Sequence, residues 1–187
     1  MSLKYSLAVL KGKIEYYKRA QRGEQPALEK DIAVKHLAGK HMEKAGFNLV
    51  VANLLWNISE DEKLKKVHGL NPIFKCYESV IEAAYYAMYH AAMAAMAKIG
   101  YRVRSHEAAV WALYYYYVHE GILEERLVGM LDKARSLKEE YVDMLAQGRQ
   151  TRRTAAYEVE EISRNLAEGL LTNAKNFVKR LGELVAQ

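Results

Sequence analysis

Proline is nearly missing from this chain. Only Pro26 and Pro72 occur in 187 residues, so positions 73–187 contain none. The usual frequency of about 5% would give roughly nine. Threonine is scarcer than its norm too, with Thr151, Thr154 and Thr172 alone, against 25 Ala and 21 Leu. Strands favour β-branched residues, whereas Ala and Leu favour helices. A β-sandwich, a barrel and a Rossmann fold are therefore excluded, and a helical bundle is expected. Cysteine is reduced to Cys76, which excludes an intramolecular disulfide framework and a multi-cysteine zinc site. Nothing nearby activates that thiol, so a structural role is expected for it. The most apolar stretch, 80–97, is rich in alanine and interrupted by Glu82 and His90; it is too short and too weakly apolar for a membrane span. No secretory signal is read, and a cytoplasmic location is expected. Neither a phosphate-cradling glycine loop nor an H-E-x-x-H helix is present. No metal or cofactor is expected.

What the chain does have is helical periodicity. Leu3, Leu7, Leu10, Ile14 and Tyr17 alternate by three and four and predict a helix over 3–22. A second helix is expected over 26–56, with Met42, Ala45, Leu49, Ala52 and Trp56 inward. Ser59 and Glu62 stand in capping-box spacing for a short helix, and Asn71-Pro72 marks the next start. The helix over 73–99 places Tyr77, Ile81, Ala84, Met88, Ala92 and Ala95 on one face. Such an alanine-rich face lets neighbours approach closely, which puts this helix at the centre. Ser105 caps a helix to 119, between the stops Gly100 and Gly121. Two more helices follow, over 122–147 and 155–186. No internal repeat is visible.

The net charge is +5 and the pI about 9.1, which permits an anionic partner without requiring one. The densest basic cluster, Arg149, Arg152 and Arg153, sits before the last helix. It reads either as a phosphate or RNA-backbone contact or as a solvated turn paired with Glu158, Glu160 and Glu161. A second basic loop holds Arg102, Arg104 and His106, which either surround a phosphate or pack structurally at the helix start. His36 and His41 are five apart and read as solvated surface residues. Tyrosine is abundant, with 14 copies. Tyr85, Tyr86 and Tyr89, and the run 114–117, suit core or interface packing, or base stacking.

Four segments resemble HEPN domains, helical bundles with nucleotide-related roles. They are Met42-Glu43-Lys44-Ala45 with Leu49, Ala52 and Leu55; Ala84-Tyr85-Tyr86-Ala87-Met88-Tyr89-His90-Ala91-Ala92; Gly100 through His106; and Arg152 through Tyr157 with Ala174, Phe177 and Val178. The resemblance implies an all-α, up-and-down antiparallel bundle with a four- to five-helix core over 42–187, preceded by an N-terminal helical extension over 1–41. Ribonuclease members carry an Arg followed, after four to six residues, by a His. The resemblance gives phosphate charge to the Arg and proton transfer to the His. Here no Arg has a His at that distance, and the corresponding place holds Arg152 and Tyr157. A phenol with an ordinary pKa near 10 is a poor base at neutral pH. The chain resembles the small members that keep Arg and Tyr, which implies binding or assembly ahead of catalysis. The expected nucleotide or RNA site is Arg149, Arg152, Arg153 and Tyr157, with His90, His106, Tyr86 and Arg104 around it. The alternatives are a metal-independent ribonuclease using His90 or His106, and a purely structural assembly module. The resemblance also implies a homodimer and a nucleotidyltransferase partner in a toxin–antitoxin or defence-type system.

Overall fold

The computed structural model describes residues 3–20, 24–148 and 155–187, with side chains except at 137–148 and 155–162. In chain order the elements are α1 (Leu7–Lys18), β1 (Leu28–Lys30), a 3-10 turn (Ile32–His36), α2 (Leu37–Glu60), α3 (Glu62–Val67), α4 (Tyr77–Lys98), β2 (Tyr101–Val103), α5 (His106–Leu113), a π-helical turn (Tyr114–Val118), α6 (Glu125–Gly148) and α7 (Ala155–Ala186). The molecule is an all-α bundle with one small two-stranded sheet. No helix among the described residues is long and apolar enough to cross a membrane.

Side-chain contacts at the helix ends fix the directions. Tyr77 at the start of α4 donates its hydroxyl to Glu60 at the end of α2, at 2.5 Å. Lys98 at the end of α4 donates to the Val185 carbonyl at the end of α7, at 2.7 Å. Arg180 of α7 reaches the Ile122 carbonyl at 3.1 Å, just before α6. So α2, α4, α6 and α7 alternate in direction, with α5 and the π turn in the connection between α4 and α6. α4 is central: Ile81, Ala84, Met88, Ala91, Ala92 and Ala95 are at most 1% exposed. Methyl side chains this size bring the flanking helices close, as the alanine pattern predicts. Phe177 and Leu181 of α7 and Leu131 of α6 complete the core.

α1 packs on its own bundle. Leu10, Ile14 and Tyr17 are buried, while Leu3 and Leu7 stay exposed. The Tyr5 ring meets Trp111 and Tyr114 at centroid distances of 4.8 and 5.1 Å. Tyr114 and Tyr117 are buried, and Tyr117 donates to the Ala95 carbonyl at 2.6 Å. Tyr114 and Tyr117 are therefore core, and Tyr115 and Tyr116 pack half-buried against it.

Three local expectations are corrected. The helix expected over 26–56 starts only at Leu37. Before it, β1 pairs antiparallel with β2, Leu28 opposite Val103. Leu28 is fully buried, Arg102 binds Asp31 at 2.7 Å and Arg104 binds Glu29 at 2.8 Å; these long-range contacts override local helix propensity. Ser59 is not the cap of α3. It is buried in α2 and accepts from the Cys76 backbone N–H at 3.0 Å, while the Asp61 carboxylate accepts from the Lys63 N–H at 2.7 Å. A carboxylate is the stronger acceptor at a helix N-terminus. Asn71-Pro72 does not open α4, which begins at Tyr77. The Asn71 side chain accepts from the Ile73 N–H at 3.0 Å and closes a turn, and the buried Lys65 donates to the Pro72 carbonyl at 2.9 Å. Elsewhere the punctuation holds. Ser105 accepts from Ala108 N–H at 3.1 Å. Gly100 and Gly121 take φ of 79° and 72°, a region that penalises a Cβ. Cys76 is half-buried, 3.1 Å from the Ser59 hydroxyl.

Candidate functional site: a histidine–tyrosine face on the central helix

Helical spacing puts Tyr85 and Tyr89, and likewise Tyr86 and His90, one turn apart on α4. The Tyr85 and Tyr89 rings lie 6.4 Å apart and near parallel, at 14°. Gly100 ends α4, β2 carries the chain back alongside it, and the Ser105 cap starts α5 at His106. That path lays the His106 ring on Tyr89, with centroids 4.0 Å apart and planes within 13°. Tyr85 lies 5.5 Å away, also parallel, and its hydroxyl is hydrogen-bonded to His106 Nδ1. With Tyr85 as donor, the neutral imidazole carries its proton on Nε2. Tyr86 stands 6.5 Å from His106 and 6.5 Å from His90. Burial raises the Tyr89 phenol above its ordinary pKa, with Tyr86 adding to the shift.

A second imidazole pair extends this face toward α2. His41 stacks on His90 with centroids 5.8 Å apart at 25°. The Nδ1 atoms of both are buried and meet no hydrogen-bond partner among the described residues. Desolvation lowers the pKa of each; proximity to Lys44 lowers both further, and His90 lowers His41. Both rings are therefore poised to stay neutral, because a proton would be bound in a dry site beside a like charge. His41 is thus not the solvated residue that its spacing from His36 suggested.

Beside this face lies a polar brace. Glu107, next to His106, accepts from the Tyr17 hydroxyl at 2.9 Å and sits 3.6 Å from Arg135 of α6. Tyr17 is raised well above the usual phenol range by burial and by the Glu107 carboxylate. α1 and α6 therefore hold the start of α5 in place. At the far end of the bundle Arg164 grips Glu60 at 2.7 Å and lies 5.4 Å over the Trp56 ring. Glu60 is held below the usual carboxylate range, chiefly by Arg164 and also by Tyr77. This is a clamp between α2, α4 and α7.

Of the residues proposed from sequence, the structure brings together Tyr86, His90 and His106. It does not bring Arg104 to them; that guanidinium binds Glu29 and the Pro26 carbonyl. Arg149, Arg152 and Arg153 lie outside the described residues, and Tyr157 is described only as part of the α7 backbone. Sequence reasoning missed His41 as a neighbour of His90, and Tyr85 and Tyr89 as the supports of His106. The i, i+4 tyrosine spacing was the available signal for the last two. Nothing local signals His41, since its partner is 49 positions away. Comparison with family models, with curated proteins and with solved structures finds no match.

Proposed function

We propose that this is a HEPN-type bundle that binds a nucleotide or RNA at the histidine–tyrosine face of α4, and that it acts through binding and assembly. The observation that carries this reading is the His106 imidazole, stacked on Tyr89 and oriented by the Tyr85 hydroxyl. An imidazole so held has a fixed orientation, and beside it the half-buried rings of Tyr86 and Tyr89 suit stacking on a base. In the sequence, Arg149, Arg152 and Arg153 are the candidate cations for such a ligand. In this reading the chain pairs with itself and works beside a nucleotidyltransferase in a toxin–antitoxin or defence-type system, inside the cytoplasm.

Fluorescence anisotropy with labelled nucleotides and short RNA tests the reading. The expected result is binding that weakens with salt and that His106→Ala and Arg152→Ala each reduce. No binding at micromolar protein overturns it. The same positioned imidazole also favours a second reading, a metal-independent ribonuclease in which His106 moves a proton. Cleavage of RNA in EDTA, abolished by His106→Ala, would select that reading over simple binding.

A further inference from the structure

α1 packs on the bundle without filling the space between itself, α5 and α6, where a cavity of about 210 Å³ remains. It is a different place from the histidine–tyrosine face: Glu107 borders the cavity, whereas its neighbour His106 stacks on Tyr89. Tyr5, Trp111 and Tyr114 form an aromatic wall, their ring centroids 4.8, 5.1 and 6.3 Å apart. Tyr114 is only 3% exposed, yet its hydroxyl makes no hydrogen bond among the described residues. A buried hydroxyl normally has a partner, and this one belongs to a residue that lines a cavity. It reaches α6 beside Gly129, 3.8 Å from where a Cβ would stand there. Burial pushes the phenol pKa up to about 12, so at neutral pH the hydroxyl is a donor.

The charges around the cavity come in both signs and are incompletely matched. Glu107 and Asp132 share one guanidinium, Arg135, which stands 3.6 Å from each. No other cation pairs with either acid among the described residues. On the α1 side, Lys13 forms no ion pair among the described residues, and its ammonium lies 4.9 Å over the Trp111 ring. Asp132 follows Gly129 by one turn of α6, on the same face as the Tyr114 hydroxyl. An acid that lacks a full counter-charge thus stands near a donor that lacks an acceptor. We propose that the cavity binds a free α-amino acid with an apolar side chain. Its ammonium meets Asp132 and Glu107, and its carboxylate meets the Tyr114 hydroxyl and Lys13. An α-amino acid carries both groups on one carbon, which suits an acceptor and a donor so close together. Its side chain lies against Trp111, Tyr5 and Val110. The volume, below the about 300–1,000 Å³ of sites for drug-sized ligands, fits an occupant this small. The site stands or falls apart from nucleotide binding.

Isothermal titration of the full chain with L-leucine and with L-phenylalanine tests this. At least one is expected to bind with a Kd of about 1 mM or tighter. Its N-acetyl form lacks the ammonium and its amide lacks the carboxylate; each is expected to bind at least about tenfold more weakly. Tyr114→Phe is expected to weaken the free amino acid about tenfold, and Lys13→Gln about threefold. Since the hydroxyl holds no partner among the described residues, Tyr114→Phe without ligand is expected to unfold at the wild-type temperature or above. A lower temperature would show that the chain already uses the hydroxyl, and it overturns the role given to it. No heat from either amino acid at about 10 mM overturns the proposal and leaves the cavity to water. So does an affinity that Tyr114→Phe leaves unchanged. An amide that binds as well as the free acid rejects the zwitterion, because the cavity would then recognise the ammonium alone.

Discussion

The Tyr85–His106 contact predicts a specific coupling. Tyr85 is 2% exposed, so Tyr85→Phe removes a hydroxyl from a dry environment and takes that hydrogen bond from His106 Nδ1. Losing a neutral hydrogen bond costs about 1 kcal/mol, and the desolvation of a partly buried partner raises the cost to about 1–3 kcal/mol. For a domain of this size, 1 kcal/mol moves Tm by about 3 °C, so a fall of roughly 3–9 °C is expected. His106→Ala loses the same bond together with the 4.0 Å stack on Tyr89 and is expected to cost more. Each side chain also touches other groups, so the singles alone do not isolate the pair, and the double-mutant cycle does. Urea unfolding of wild type, both singles and the double measures it. The double variant is expected to be less destabilised than the sum of the singles by about 1 kcal/mol or more. Additivity within about 0.3 kcal/mol would show that the hydroxyl and the imidazole do not act as a unit, and the account of an oriented His106 would fail.

The His41–His90 stack predicts a pH response. Folding holds both imidazoles below the ordinary value near 6.5, so the unfolded chain binds protons that the native state refuses. Stability is therefore expected to fall as pH drops from 7 through 6.5 toward the folded pKa values, by about 1.4 kcal/mol for each tenfold difference in proton affinity. A His90→Phe variant should flatten the slope between pH 7 and 5; a wild type already flat there, by urea unfolding, refutes the linkage. Glu60, held low by Arg164, acts in a separate window below its usual 4.5. In the core, Ala92→Leu forces a larger side chain into a fully buried position and is expected to destabilise by about 1–3 kcal/mol, read as a lower urea midpoint. A neutral result would mean that α4 is not closely packed there.

Much of the fold was legible because it follows from local rules. Pattern and propensity located α4 and its inward face, and Ser105, Gly100 and Gly121 set its neighbours' limits. α7 occupies the expected range 155–186, and its inward face is Ala167, Leu170, Leu171, Ala174, Phe177 and Leu181. The miss over 26–36 has a clear origin: Leu28, Glu29 and Asp31 are ordinary in a local window, and only Val103, Arg104 and Arg102 across the fold give them strand and turn geometry. The candidate site was half legible. Tyr86, His90 and His106 were named from sequence, whereas His41 joined them only once α2 lay along α4.

The sequence by itself therefore determined that the protein is helical, which helix lies at its centre and where the chain turns. Backbone propensity, caps and apolar spacing act within a few residues, and those are written locally. Tertiary structure alone decided that His106 stacks on Tyr89, that His41 meets His90 and that Arg104 serves the N-terminal segment. It alone decided, too, which apolar face of α2 is spent inside the bundle. Phe47, Val50 and Leu54 are as apolar in sequence as any core residue, and only the position of α4 on the other side of the helix leaves them facing water.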